Sequence, residues 1–102
     1  MSDLGPIRVV ADEDIADLIP GYLEHRLEDV AAIHSAIDGG DFEVVRILGH
    51  SMKGSGGGYG FDGITEIGAA LEAAGKEADP AAAVHSIAAL EDYLNRLEVI
   101  YE

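Results

Sequence analysis

Cysteine is absent from this 102-residue chain, which removes disulfides, thiolate nucleophiles and cysteine-based zinc sites together. A domain this small outside the cell would often need such staples, so the expected location is a reducing cytoplasm. Basic residues are scarce: 6 Lys and Arg stand against 20 Asp and Glu, for a formal charge of −14. That charge repels the phosphates of nucleic acid and of anionic lipid alike, and neither is an expected partner. An acidic, solvated surface of this kind favours a soluble monomer. No apolar run approaches the roughly 20 residues needed to cross a bilayer, and the opening residues 1–6 lack the basic and then apolar halves of a signal peptide.

What the chain has is enough apolar material to fold. Hydrophobic residues make up 48% of it, and its length suits one core, hence a single domain over residues 1–102. Ile7-Arg8-Val9-Val10 leans towards β-structure, but no second strand is apparent to pair with it, so residues 1–11 are expected to form an extended arm. Asp12 can cap a short helix to about Leu18. Pro20 is tolerated in a first helical turn and so restarts a helix that Gly39-Gly40 ends, with the stripe Ile19, Leu23, Leu27, Val30, Ile33 and Ile37. Asp41 caps a third helix from Phe42, carrying Val44, Val45, Leu48, Met52 and Tyr59 into a glycine-rich stretch. Asp62 caps a fourth, with Ile64, Ile67, Leu71, Ala74 and Ala78. The fifth starts near Pro80 and carries Val84, Ile87, Leu90, Leu94, Leu97 and Tyr101. The pattern predicts an all-α fold: an antiparallel four-helix bundle with a short additional N-terminal helix and no sheet.

One segment stands apart chemically. Residues 44–61 contain Arg46 and Lys53 but no Asp or Glu, an expected island of positive potential in an acidic protein. On a helical wheel His50 lies opposite Leu48 and Met52, which points it away from the core. Arg46, Lys53, Gly54 and Gly57 fall on the His50 side. A neutral imidazole, with a reference pKa of about 6.5, offers a lone pair near neutrality and can attack phosphorus without a separate base. Neighbouring cations favour the neutral ring and then steady phosphoryl oxygens. Glycines one and two turns on clear the approach of a bulky partner, at a cost of about 1 kcal/mol each in helix propensity relative to Ala.

The run His50-Ser51-Met52-Lys53-Gly54-Ser55, with Gly60 following, resembles the His-x-x-Lys-Gly signature of histidine-containing phosphotransfer (HPt) domains. The likeness extends to Ala36-Ile37-Asp38-Gly39-Gly40-Asp41, to Arg46, and to Ile64, Ile67 and Leu71-Glu72, covering roughly residues 12–100. Gly60-Phe61 and the wording around His50 are also similar to the phosphorylated N-terminal domain of chemotaxis histidine kinases. Met52 departs from the family's commoner leucine or isoleucine. Gly49 replaces a usual alanine and weakens the helix locally. The resemblance implies a phosphocarrier that exchanges a phosphoryl group between a receiver-domain aspartate and His50, with Lys53 as electrostatic partner and Arg46, Gly54 and Gly57 on the receiver-docking face. It implies receiver domains, and a histidine kinase, as partners, with Mg²⁺ on the receiver and no cofactor on this chain. Two alternatives remain at this point: a phosphoacceptor domain of a chemotaxis-type kinase, and a module that binds receivers without accepting phosphate.

Competing motifs fail on context. Gly58-x-Gly60-x-x-Gly63 follows a helical pattern instead of the strand a dinucleotide loop requires. Lys53-Gly54-Ser55 is the wrong order for a Walker loop, so no ATP-dependent kinase activity of its own is expected. His25, His34 and His85 lack comparable surroundings, and no spacing suggests a metal site.

Overall fold

The computed structural model describes residues 5–102. Four helices follow in order: α1 (Ile19–Asp38), α2 (Phe42–Ser55), α3 (Asp62–Glu77) and α4 (Pro80–Arg96). The connections between them are short, and α1 and α3 each pack against both α2 and α4, closing a four-helix bundle. Ile19, Ile33, Val45, Met52, Phe61, Ile64, Leu71, Ile87 and Leu90 are the large, fully buried side chains at its centre. The helix starts follow from capping chemistry: Asp41 accepts a hydrogen bond from the Val44 amide and Asp79 from the Ala82 amide, satisfying donors left free in a first turn. Pro20 and Pro80 both sit in first turns, as expected. No helix among the described residues is long and apolar enough to cross a membrane.

Several local expectations need correction. Ile7–Ala11 is extended but not an arm: as β1 it pairs in parallel with β2 (Leu97–Tyr101), Ile7 opposite Leu97 and Ala11 opposite Tyr101. The last helix stops at Arg96 because Leu97-Glu98-Val99-Ile100-Tyr101 is rich in β-branched and aromatic residues. Leu94, Leu97 and Tyr101 also fit a helical period, which hid the strand. Leu97 and Val99 pack on the core together with Val9, so this minor sheet lies along the bundle without altering its all-α class.

The short helix expected near Asp12 is a single 3₁₀ turn, Glu13–Ile15, capped by the Asp12 carboxylate. Asp62 does not cap α3 but occupies its first turn, with Phe61 at the cap position. Tyr59 is not on α2; it ends a second 3₁₀ turn, Gly57–Tyr59, closed by Gly60 at φ +91°, a left-handed conformation that suits glycine. Leu27 and Val84, assigned to the apolar stripes, are 56% and 53% exposed. Tyr22 takes the inward position instead. Its ring stacks on Tyr59 at 4.2 Å and on Phe61 at 6.0 Å, with the Arg26 guanidinium 4.5 Å above it. The Tyr22 hydroxyl meets Ser55 Oγ at 2.9 Å, tying α1 to the end of α2.

Candidate functional site

Helix α2, capped by Asp41, buries Val45 and Met52, which leaves His50 on the opposite side with its side chain 67% exposed. The wheel's orientation of His50 therefore agrees with the structure. Its electrostatic setting does not. Glu72, from the adjacent helix α3, lies almost fully buried between the His50 and Lys53 side chains: Oε2 is 2.8 Å from His50 Nδ1 and Oε1 is 2.8 Å from Lys53 Nζ. The acid-free stretch of sequence is thus not an uncompensated positive island, because an anion reaches it across the helix interface.

The Lys53 ammonium, foremost, and then the His50 ring hold the Glu72 carboxyl down to about 2, against a partial opposing effect of burial. An ionised carboxylate can only accept hydrogen bonds, so His50 Nδ1 carries the proton. In the neutral ring the lone pair then sits on Nε2, the nitrogen farther from the backbone. The site consequently presents a nucleophilic nitrogen with no proton to lose, and an ammonium group beside it.

The pair interaction also sets an expected acid response. The Glu72 carboxyl titrates far below its ordinary value of 4.5, so its contribution to stability is complete above that value and is lost as pH falls towards about 2. Urea unfolding midpoints followed from pH 6 down to pH 2 should fall less steeply for Glu72→Gln than for the parent protein. Parallel curves would show that the Lys53 and His50 contacts do not stabilise the folded state.

Other residues on this face divide clearly. Arg46 turns back one helical turn to Glu43, with Nε at 2.8 Å and Nη2 at 2.6 Å from its carboxylate, and so is an ion-paired group beside the site. Gly54 faces open space: a Cβ there would meet nothing within 4 Å. Gly57 is exposed, but a Cβ there would point to Thr65 Oγ1 at 3.6 Å and Asp62 at 3.7 Å. Ile47, one turn before His50, is 50% exposed and adds an apolar side chain that the sequence did not single out. Thr65 fastens the end of α2 to α3, its hydroxyl donating to the Lys53 carbonyl at 3.2 Å and accepting from the Gly57 amide at 2.8 Å. The remaining three histidines sit elsewhere: His25 contacts Glu28, His34 contacts Glu91, and His85 is exposed on α4. No group of three or more potential metal ligands is formed among the described residues.

Glu72 is the member of this side-chain cluster that the sequence did not single out, apart from its place in the family wording. A signal for it did exist. It falls at helical spacing with Ile64, Gly68 and Gly75 on the buried stripe of α3, where an unpaired charge would be costly.

In a comparison with known families, the model described as the Hpt domain fits residues 17–99. No curated protein and no solved structure matched.

Proposed function

The chain belongs to the Hpt domain family, the histidine phosphotransfer domains of phosphorelay signalling, and from that membership we propose that His50 is its phosphoryl-carrying residue and Nε2 the accepting atom. The observation that carries this reading is the Glu72 contact to Nδ1, which leaves the lone pair on the outward nitrogen of an exposed ring. In the forward step Nε2 attacks the phosphorus of a receiver's aspartyl phosphate. The N–P bond forms, the bond from phosphorus to the carboxylate oxygen breaks, and the aspartate leaves as the free carboxylate. The ring gains positive charge without losing a proton, and the Glu72 carboxylate offsets it at Nδ1. The reverse step returns the group, so His50 is regenerated by partners and the domain is a carrier without turnover of its own.

Lys53 serves as the electrostatic partner of the incoming phosphoryl oxygens, and its tie to Glu72 fixes where the ammonium stands. Ile47 and the bare surface at Gly54 form the centre of the receiver-docking face, with the Arg46–Glu43 pair at one edge. Mg²⁺, which phosphoryl transfer calls for, is assigned to the receiver, because the carboxylate beside His50 already spends both oxygens on protein donors.

Lys53→Ala tests the cation separately from the nucleophile. It removes one half-exposed charge, on the order of 1 kcal/mol at such a site, so phosphoryl transfer from a phosphorylated receiver should slow several-fold without stopping. Rapid-quench measurement of phosphate moved to the domain gives the rate. An unchanged rate would remove Lys53 from the mechanism.

A further inference from the structure

The approach of α3 to His50 is unusually close, and glycine makes it so. A methyl group built at Gly49 would stand 2.5 Å from the Glu72 amide nitrogen and 2.9 Å from the Gly68 carbonyl oxygen. One built at Gly68 would stand 2.5 Å from the Lys53 amide nitrogen and 2.8 Å from the Gly49 carbonyl oxygen. These are backbone atoms of both helices, so neither methyl is accommodated by rotating a side chain. The two glycines face each other, and the nearest backbone atoms they meet are the amides of Lys53 and Glu72 themselves. Gly49 is also the immediate neighbour of His50.

Glu72 has little slack to absorb a wider gap. Its two oxygens are committed to separate donors, both on α2, at 2.8 Å each. A carboxylate with one partner can follow a moving helix by changing rotamer. One held by two donors three residues apart on the same helix has less freedom to follow, and the contact to the His50 ring, whose stem is shorter than that of Lys53, is the one a retreat of its backbone strains first.

We infer that Gly49 and Gly68 are positioning residues for phosphotransfer: their backbone-to-backbone contact sets the α2–α3 distance at which Glu72 can hold the proton on His50 Nδ1 and leave Nε2 as the nucleophile. Gly49 is therefore not a local weakness of the helix but part of the device that selects the reacting nitrogen. The inference rests on the proposed role of His50 for its rate consequence, whereas its tautomer consequence can be read without any partner.

The test is nitrogen-15 NMR of the His50 ring at about pH 9, well above the ordinary imidazole range, in the full chain. The parent protein should show the form protonated at Nδ1. Gly49→Ala and Gly68→Ala should shift the ring towards a mixture with the form protonated at Nε2, and phosphate uptake from a phosphorylated receiver should fall on the order of tenfold or more, the size usual for losing an orienting hydrogen bond. Ile87→Val, a mild core loss away from this crossing, should lower the melting temperature yet leave the tautomer unchanged, separating positioning from stability. If the alanine variants do not fold, Glu72→Asp draws the carboxylate back by one methylene without touching the glycines, and the same tautomer shift is expected. A folded glycine variant, or Glu72→Asp, that retains the parent tautomer overturns the inference. Loss of tautomer selection in a protein that takes up no phosphate even as the parent would instead overturn the phosphotransfer reading and leave the positioning role standing.

Discussion

His50→Gln should abolish acid-labile, base-stable phosphate incorporation from a phosphorylated receiver while leaving the helical circular dichroism intact. The imidazole is the only group at the site with a lone pair free to attack phosphorus. Glutamine is of similar reach, and its carboxamide can still meet Glu72 and Lys53, but the amide nitrogen is no nucleophile. Because the His50 side chain is 67% exposed and points away from the core, the variant should still fold, with a stability change limited to that of its Glu72 contact. Substitution of His25, His34 or His85 should leave incorporation unchanged. Label retained by His50→Gln would place the phosphoacceptor elsewhere, and a parent protein that binds receivers without labelling would make the domain a docking module.

Phe61→Ala should have the largest effect on stability, with a loss of about 3–5 kcal/mol. Phe61 is fully buried, stacks on Tyr22, and its backbone joins the two helices of the site: its amide donates to the Gly56 carbonyl and its carbonyl accepts from the Ile64 and Thr65 amides. For a domain of this size each kcal/mol moves the melting temperature by about 4–8 °C, so a fall of roughly 15–30 °C is expected in a thermal melt. A fall under about 5 °C would mean that the aromatic stack closes over the gap and that Phe61 does not anchor the α2–α3 connection.

His50 and Glu72 differ in how they could be read beforehand. His50 was legible because it belongs to a single helix: a wheel of 100° per residue, with Leu48 and Met52 on the far side, is enough to place it outward. Glu72 was not, because its partners lie about twenty positions earlier and meet it only when two helices pack. The glycines show the same limit. Gly54 faces open space on the side a wheel gives it, whereas the close approach of the α3 backbone to Gly49 has no counterpart in the sequence of α2 alone. The strands failed for a different reason: Leu97-Glu98-Val99-Ile100-Tyr101 satisfies a period of two and a period near 3.6 at once, and only a distant partner, Ile7–Ala11, decides between them. Leu27 kept the helical spacing of a core residue but ended up exposed, since the wheel gives a direction without saying how wide the neighbouring helix is.

The pairing of β1 with β2 has a bearing on the order of folding. Its register joins residues roughly ninety positions apart, whereas α2 and α3 are neighbours in the chain and can close on each other through a six-residue turn. Contacts between sequence neighbours form early and those that close long loops form late, so the bundle that carries His50 should assemble before the ends of the chain are tied together. The strand amides should then exchange with solvent through a local opening that leaves the helices protected. In hydrogen exchange, the amides of Ile7–Ala11 and Leu97–Tyr101 that bond across the sheet should lose protection as one unit, well ahead of Met52 and Leu71.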